Sequence, residues 1–144
     1  MIRRATRADA DAVGEVFLTA RAGMAYLPAL YTDEEIRRWI RDVVLPREEV
    51  WVAEEAERIV GFAALSDEML EHLYVEPGSQ GRGVGGRLLE KAKERRPEGL
   101  ELWVFQKNDG ARAFYERRGF RLVELTDGAG NEEREPDARY EWRP

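Results

Sequence analysis

The sequence contains no cysteine, and among its 144 residues there is a single histidine, His72. Without thiols the chain can form no disulfide and offers no cysteine nucleophile. One histidine and no cysteine leave few of the side chains that usually bind zinc, so no metal site is expected. Any group transfer is therefore expected to pass directly from donor to acceptor, or through another kind of side chain.

Long apolar runs are also absent, because no stretch approaches the roughly 18 residues that a membrane-spanning helix needs. The composition, 43% hydrophobic and 36% charged, is that of a folded globular protein and not of a disordered chain. No signal-peptide pattern opens the sequence. We therefore expect a cytoplasmic protein without membrane contact.

Positive charge is in deficit, with 23 Lys and Arg residues against 29 Asp and Glu residues and a net charge of −6. Nucleic-acid binding requires a basic face, so it is not expected. A cationic acceptor would instead be attracted. The length is that of one domain with a substantial core, and residues 1–144 are predicted to form a single domain.

A glycine-rich segment, residues 80–86, follows a strand pattern at residues 70–75 and opens a helical pattern. The first N–H groups of a helix have no partner within it, and the helix dipole favours negative charge there. Glycines let a phosphate approach such a backbone closely. A phosphate-bearing cofactor is therefore predicted. The residues expected to contact it are Gln80, Gly81, Arg82, Gly83, Val84, Gly85, Gly86 and Arg87, the two arginines by neutralising phosphate charge.

Three kinds of phosphate loop compete for this segment. A nucleotide-triphosphatase loop would continue from Gly86 with lysine and a hydroxyl residue, and the chain has neither there. The dinucleotide pattern Gly-x-Gly-x-x-Gly is satisfied, and Glu101 stands at the distance of a ribose-binding acid. However, residues 76–80 separate the strand from the first glycine, and Glu101 begins a strand instead of ending one. The frame Gln80-x-x-Gly83-x-Gly85 fits without exceptions, and a dinucleotide-dependent oxidoreductase remains the less favoured alternative.

The predicted elements form an antiparallel meander followed by a strand-helix-strand unit. Two capping boxes, at Thr6 and Thr32, mark the starts of two N-terminal helices. Proline and glycine punctuate the later helices. The predicted strands are 2–6, 50–53, 59–65, 70–75, 100–105, 120–126 and 138–142, with later helices at 86–96 and 109–118.

A second motif, residues 108–120, reads Asn-x-x-Ala-x-x-Phe-Tyr-Glu-x-x-Gly-Phe. Together with the Gln80 frame it resembles the GNAT superfamily of acyl-coenzyme A dependent N-acetyltransferases, from about Trp51 to Phe120. The resemblance implies an α/β fold with a mixed, mostly antiparallel sheet of six to seven strands, a central parallel βαβ unit, a splayed cofactor groove and about four helices. It also implies acetyl-coenzyme A as co-substrate.

The same resemblance implies roles for individual residues. The strand at 70–75 would splay from the strand at 100–105, freeing backbone groups of Leu73 and Val75 for the pantetheine arm. The Val75 N–H would face the thioester oxygen and stabilise the oxyanion of the tetrahedral intermediate. Tyr115 would protonate the departing thiolate. Asn108 would contact the cofactor arm and also cap its helix.

The general base follows from strand alternation. Alternation places Glu71 on the face of Val75, and His72 with Leu70 on the opposite face. Glu71 is therefore the favoured base. His72 has the more suitable unperturbed pKa, near ~6.5, and remains an alternative, as does Glu68.

The sequence thus predicts an N-acetyltransferase that moves an acetyl group directly from acetyl-coenzyme A to a primary amine. The acceptor would be a small-molecule amine or a peptide N-terminus. A noncatalytic acyl-coenzyme A sensor is the alternative, because it would carry the same loop. The sequence leaves the oligomeric state open between a monomer and a homodimer; the resemblance implies that a homodimer would form through the closing strands, which often pair between subunits in the family.

Overall fold

A computed structural model describes all residues from Met1 to Pro144. The chain divides into two compact units, Met1–Arg95 and Arg96–Pro144. They are called the N-terminal unit and the C-terminal unit. Whether the chain behaves as one domain over residues 1–144 stays a prediction.

The N-terminal unit contains four strands and most of the helices. Helix α2 (Asp33–Trp39) continues through a π-helical segment, Ile40–Val44, into the short helix α3 (Leu45–Arg47), so these three pieces form one continuous helical region. The elements are β1 Ile2–Arg4, α1 Ala10–Ala22, α2 Asp33–Trp39, α3 Leu45–Arg47, β2 Glu49–Glu55, β3 Arg58–Ser66, β4 Met69–Val75 and α4 Val84–Arg95.

The two capping boxes form as predicted. The Thr32 hydroxyl accepts a hydrogen bond from the Glu35 N–H (3.1 Å), and the Glu35 carboxylate accepts one from the Thr32 N–H (2.9 Å). Asp9 accepts from the Thr6 N–H at 2.7 Å and is held by Arg3 at 2.9 Å and 3.0 Å. Helix α1 therefore begins one short turn later than the Thr6 motif alone suggests.

The four N-terminal strands pair in the order β1-β2-β3-β4, and every pair is antiparallel. One face of this meander packs against α1 and the π-helical segment. The core on that face includes Phe17, Ile40, Val52 and Phe62, each at most 5% exposed. Burial of these side chains is the main stabilising term for the unit.

The pairing of β3 with β4 contains a β-bulge at Glu71. Leu70 lies opposite Leu65 and His72 lies opposite Ala64, so three residues of β4 face two of β3. Directly opposite residues share a face of the sheet. The simple alternation was wrong for Leu70, which lies on the face of Val75, because the extra residue interrupts the period of two.

The C-terminal unit is smaller and follows the predicted order. Its three strands pair antiparallel in the order β5 (Leu100–Phe105), β7 (Asp137–Trp142) and β6 (Arg121–Leu125), with β6 at the edge. The buried Tyr140 hydroxyl donates to Glu116 (2.5 Å) and accepts from the Arg112 Nε–H (3.0 Å), which fixes the helix on the strands. The elements are β5 Leu100–Phe105, α5 Asp109–Glu116, β6 Arg121–Leu125 and β7 Asp137–Trp142.

The predicted class, a mixed α/β fold with six or seven mostly antiparallel strands and about four helices, is confirmed. The chain has seven strands and four helical regions, and β4, α4 and β5 follow one another in the predicted order. None of the helices combines the length and the apolar character that crossing a membrane requires.

Candidate active site

The glycine-rich turn leaves an open backbone surface at the start of α4. Gly81 and Gly83 have positive φ angles of 83° and 80°, and no atom lies within 4 Å of the position that a side chain would occupy on either. The Arg87 N–H donates to the Gly83 carbonyl at 3.1 Å. This is the first bond of the helix, so the N–H groups of residues 84–86 have no helical partner. The geometry suits an anion such as a phosphate.

The turn is tied to the end of β4. The Arg58 guanidinium donates two hydrogen bonds, of 2.7 Å and 2.6 Å, to the Glu76 carboxylate. The buried Ser79 hydroxyl donates to the same carboxylate at 2.9 Å. The Gln80 side-chain amide donates to the Val75 carbonyl at 3.2 Å. The loop and the strand residue predicted to hold the oxyanion are therefore in direct contact.

The two arginines of the loop differ in their surroundings. Arg87 reaches back to Glu55 at 3.3 Å. Arg82 is exposed and forms no ion pair within the chain. Arg82 is therefore the arginine whose charge is available to a phosphate without breaking an existing pair.

The backbone N–H groups of Leu73 and Val75 in β4 are not used in pairing with β3. The Glu76 N–H donates to the Val60 carbonyl at 2.8 Å. Bonded and non-bonded pairs alternate along antiparallel strands, so Val75, opposite Gly61, and Leu73, opposite Ala63, are not bonded to β3. Their N–H groups point away from β3.

In the C-terminal unit, Asn108 and Tyr115 occupy the two ends of α5. The Asn108 side chain accepts from the Ala111 N–H at 3.1 Å, which confirms its capping role. Tyr115 is 8% exposed, with its ring 5.1 Å from that of Phe114 and 5.4 Å from that of Phe120. This packing fixes the direction of the Tyr115 ring.

A family model described as an acetyltransferase (GNAT) domain matches residues 46–122, more than half of the chain. The chain belongs to the GNAT acetyltransferase family. The matched residues include the glycine-rich turn and α5, which belong to the two motifs that resemble the family. The chain is accordingly an acyl-coenzyme A dependent N-acetyltransferase.

Individual proteins similar to this chain support the same family assignment. The chain is 33% identical over 126 residues to the peptidyl-lysine N-acetyltransferase YiaC of Escherichia coli K12, covering 86% of this chain and 85% of the relative. The solution structure of apo-form YjaB from Escherichia coli has a TM-score of 0.80 at 27% identity, covering 99% of this chain and 96% of that one. The PaiA N-acetyltransferase of Thermoplasma acidophilum, solved in complex with coenzyme A, shares the fold with a TM-score of 0.76 at 21% identity, covering 100% and 98%.

The acetyltransferase has a second carboxylate beside Glu71 that the sequence did not reveal. Burial, and then the negative charge of Glu71, raise the pKa of Glu48 to about 7. One oxygen of Glu48 is buried without a hydrogen-bond partner. Desolvation also raises the pKa of Glu71. Glu48 can therefore accept and hold a proton near neutral pH, and the raised pKa makes Glu71 a stronger base than an ordinary glutamate.

Glu48 could have been found from the sequence only by predicting the pairing of β2 with β3 and of β3 with β4 together. Glu49 lies opposite Leu65, and Leu65 lies opposite Leu70. The residue before β2 and the start of β4 therefore lie at the same end of the meander, on either side of β3. Glu48 and Glu71 are 23 positions apart along the chain, so no local motif links them.

The alternative base, His72, belongs to an aromatic cluster. Its ring lies 5.8 Å from Phe17, 5.4 Å from Trp39 and 6.2 Å from Tyr74. Burial, with a smaller effect from Arg21, lowers the pKa of His72 to about 4. The imidazole is therefore neutral at pH 7 and a much weaker base than an unperturbed histidine.

Proposed function

We propose that this acetyltransferase moves the acetyl group of acetyl-coenzyme A to the side-chain amine of a lysine in a peptide or protein. Support for the lysine comes from the relatives YiaC and YjaB, which are peptidyl-lysine N-acetyltransferases. The acceptors expected from the sequence, a small amine or a peptide N-terminus, are the alternatives. The open glycine turn at the start of α4 is the observation that carries the cofactor part of the proposal.

In the proposed reaction the lysine nitrogen attacks the thioester carbonyl carbon to form a tetrahedral intermediate. Glu71, with Glu48 beside it, takes the proton that the ammonium must lose before or during attack. The Val75 N–H, which β3 does not use, donates to the developing oxyanion. The carbon–sulfur bond then breaks, and Tyr115 gives a proton to the thiolate.

Binding of the cofactor would rest on the loop. Its diphosphate would accept hydrogen bonds from the N–H groups at the start of α4, and Arg82 would add a positive charge. Leu73 and Val75 would bond the pantetheine arm through their outward backbone groups, and Asn108 would contact the arm as well.

The test is release of free thiol from acetyl-coenzyme A against a panel of acceptors, with mass spectrometry of the products. Peptides with an internal lysine should give steady release and a lysine side chain heavier by one acetyl group. The matched control replaces that lysine by arginine and should give none. Acetylation of only N-termini or small amines would overturn the lysine assignment, and no release from any acceptor would favour the noncatalytic sensor.

A further inference from the structure

Lysine is scarce in this protein. Of its 23 Lys and Arg residues only three, Lys91, Lys93 and Lys107, are lysines. An arginine guanidinium stays protonated in proteins and does not attack a thioester, whereas a lysine amine can do so once it has lost its proton. For an enzyme that acetylates lysine, this composition leaves very few of its own side chains as substrates.

The three lysines differ in exposure. Lys91 and Lys93 lie in α4, where their side chains are 29% and 16% exposed. Lys91 also lies 5.0 Å from the centre of the Trp51 ring and pairs with Glu94 at 3.0 Å. The side chain of Lys107 is 60% exposed and belongs to the turn between β5 and α5. Lys107 is therefore the lysine that another molecule can reach most easily.

The backbone at Lys107 is held by local hydrogen bonds. The Asn108 N–H donates to the Phe105 carbonyl at 3.0 Å, and the Asp109 N–H donates to the Lys107 carbonyl at 3.0 Å. These bonds fix the main chain of the turn. Entry of Lys107 into another active site therefore requires movement of its side chain and no unfolding of the turn.

Lys107 balances a buried carboxylate, that of Glu135. The Lys107 Nζ lies 3.5 Å from Oε2 of Glu135, whose side chain is 10% exposed. That oxygen is buried and accepts no hydrogen bond. Asn131 closes the loop between β6 and β7 on the same residue, donating to the Glu135 carbonyl at 2.8 Å and accepting from the Glu135 N–H at 3.3 Å. Loss of the Lys107 charge would leave this carboxylate buried without a cation.

The ion pair between Lys107 and Glu135 is weak enough to open. A pair with one partner this exposed is favoured over its open form by only about two- to fivefold. In the open form the Lys107 ammonium can lose its proton to solvent and act as a nucleophile. The same weak preference limits the effect of removing the pair to a similar factor.

We propose that Lys107 is acetylated by a second copy of this enzyme, an inference that rests on the proposed function. The Lys107 amine attacks the carbonyl carbon of the acetyl-coenzyme A bound to that copy, and a carbon–nitrogen bond forms as the carbon–sulfur bond breaks. Glu71 of that copy takes the amine proton, and its Tyr115 gives a proton to the thiolate. The product is a neutral amide that no longer balances Glu135, so the loop between β6 and β7 opens more often.

The modification test separates the substrate chain from the enzyme chain. Gly83→Glu, which should not bind coenzyme A, is the substrate, and Lys107→Arg is the enzyme. With acetyl-coenzyme A, peptide mass spectrometry should find the acetyl group on Lys107 of the substrate at least about tenfold faster than without the enzyme. Equal rates with and without the enzyme, or acetylation of Lys91, Lys93 or the Met1 amine instead, would overturn the proposal.

The parent protein provides a second measurement that needs no glycine variant. Its rate of self-acetylation at Lys107, per molecule, should rise in proportion to protein concentration, because transfer occurs between copies. A rate independent of concentration would show transfer within one molecule and overturn the proposal.

Lysine peptides assayed in parallel separate this proposal from the proposed function. Acetylated peptides together with an unmodified Lys107 would overturn self-acetylation and leave the proposed function intact. Acetylation of neither would overturn the proposed function.

Hydrogen exchange measures the consequence for the loop. Lys107→Gln, which is neutral like acetyl-lysine, should speed exchange of the Asn131 and Glu135 amides about two- to fivefold. Lys107→Arg keeps the charge and should leave the exchange rates unchanged. In a Glu135→Gln background Lys107→Gln should have no effect, because no buried charge is left to balance. Equal exchange in Lys107→Gln and Lys107→Arg would overturn the link between acetylation and the loop.

Discussion

The pKa values of two carboxyl groups in this protein, those of Asp9 and Glu48, are shifted in opposite directions because the two groups have different surroundings. Hydrogen bonds from Arg3 lower the pKa of Asp9 despite its burial. Glu48 has no such donor, and burial and the charge of Glu71 raise its pKa to about 7. Residue type therefore names the titratable groups, and the surroundings determine which of them can exchange a proton near neutral pH.

The raised pKa of Glu48 predicts a pH-dependent free energy of unfolding. The folded state holds the Glu48 proton up to about pH 7, whereas the unfolded chain loses it near the ordinary value of 4.5. Its stabilising contribution is complete below the unfolded pKa and is lost as pH rises through the folded pKa. Glu48→Gln should therefore lose less stability between about pH 5 and about pH 8 than the parent protein.

Urea denaturation at several pH values measures this effect. The comparison of two variants cancels the opposing contribution of His72, whose lowered pKa destabilises the folded state as pH falls. Glu34→Gln, at an exposed position of α2, is the matched control and should follow the parent curve. If the free energy of unfolding of Glu48→Gln has the same pH dependence as that of the parent protein, Glu48 does not titrate as described.

The acid role of Tyr115 predicts a separation of binding from turnover. Tyr115→Phe keeps the packed ring and removes only the hydroxyl, so coenzyme A affinity by calorimetry should be unchanged. Loss of a general acid should lower kcat about 10²-fold or more. Tyr31→Phe, at a 51% exposed tyrosine, is the matched control. Unchanged turnover of Tyr115→Phe would remove the acid assignment.

At the scale of elements, the strand-turn-helix from β4 to α4 combines two independent requirements of an anion site. Left-handed backbone at Gly81 and Gly83 turns the chain so that it leaves open space, and the start of α4 supplies N–H groups without partners. Neither feature depends on a distant part of the chain, which is why the motif was readable from the sequence.

Substitutions at two glycines of this turn separate the anion site from general effects of an added side chain. Gly83→Glu places a carboxylate where the phosphate would lie and forces a residue with a Cβ to φ 80°, so coenzyme A binding should be lost. Gly83→Ala tests the backbone strain alone and should weaken binding less. Gly78→Glu is the matched control, because Gly78 has open space and no positive φ. Calorimetric titration with coenzyme A measures all three, and undiminished affinity of Gly83→Glu would contradict the loop assignment.

At the scale of the whole molecule, the net charge of −6 bears on which acceptors approach the enzyme. Opposite charges accelerate encounter and this attraction is screened by salt. KM for an acceptor peptide that carries a second basic residue next to its lysine should therefore rise severalfold between about 50 mM and about 300 mM salt. A peptide with a neutral neighbour, assayed in parallel, should show a smaller rise, and equal slopes would show that charge does not guide the acceptor.

Homodimer formation also belongs to this scale and stays a prediction. The edge strand β6 exposes Leu122, Val123 and Leu125, between 39% and 55% each, as a strand that pairs with another copy would. It also carries a bulge at Val123, which opposes regular edge pairing. Light scattering of the purified protein decides between a dimer and a monomer.

The sequence by itself determined the features that short-range physics specifies. The caps at Thr32 and Asn108, the glycine-rich turn and the order of strands and helices each depend on residues within a few positions of one another. Family membership followed from two such segments, residues 80–85 and 108–120. These predictions were confirmed because local backbone preference and tertiary packing agree at those positions.

The tertiary structure decided what depends on residues distant in the chain. The bulge at Glu71 moved Leu70 to the other face, and strand pairing brought Glu48 beside Glu71. The ion pair between Arg87 and Glu55 likewise joins segments that no motif connects. The physical reason is that strand register and side-chain charge interactions are set by packing across the sheet, whereas sequence periodicity reports only which residues prefer to be buried.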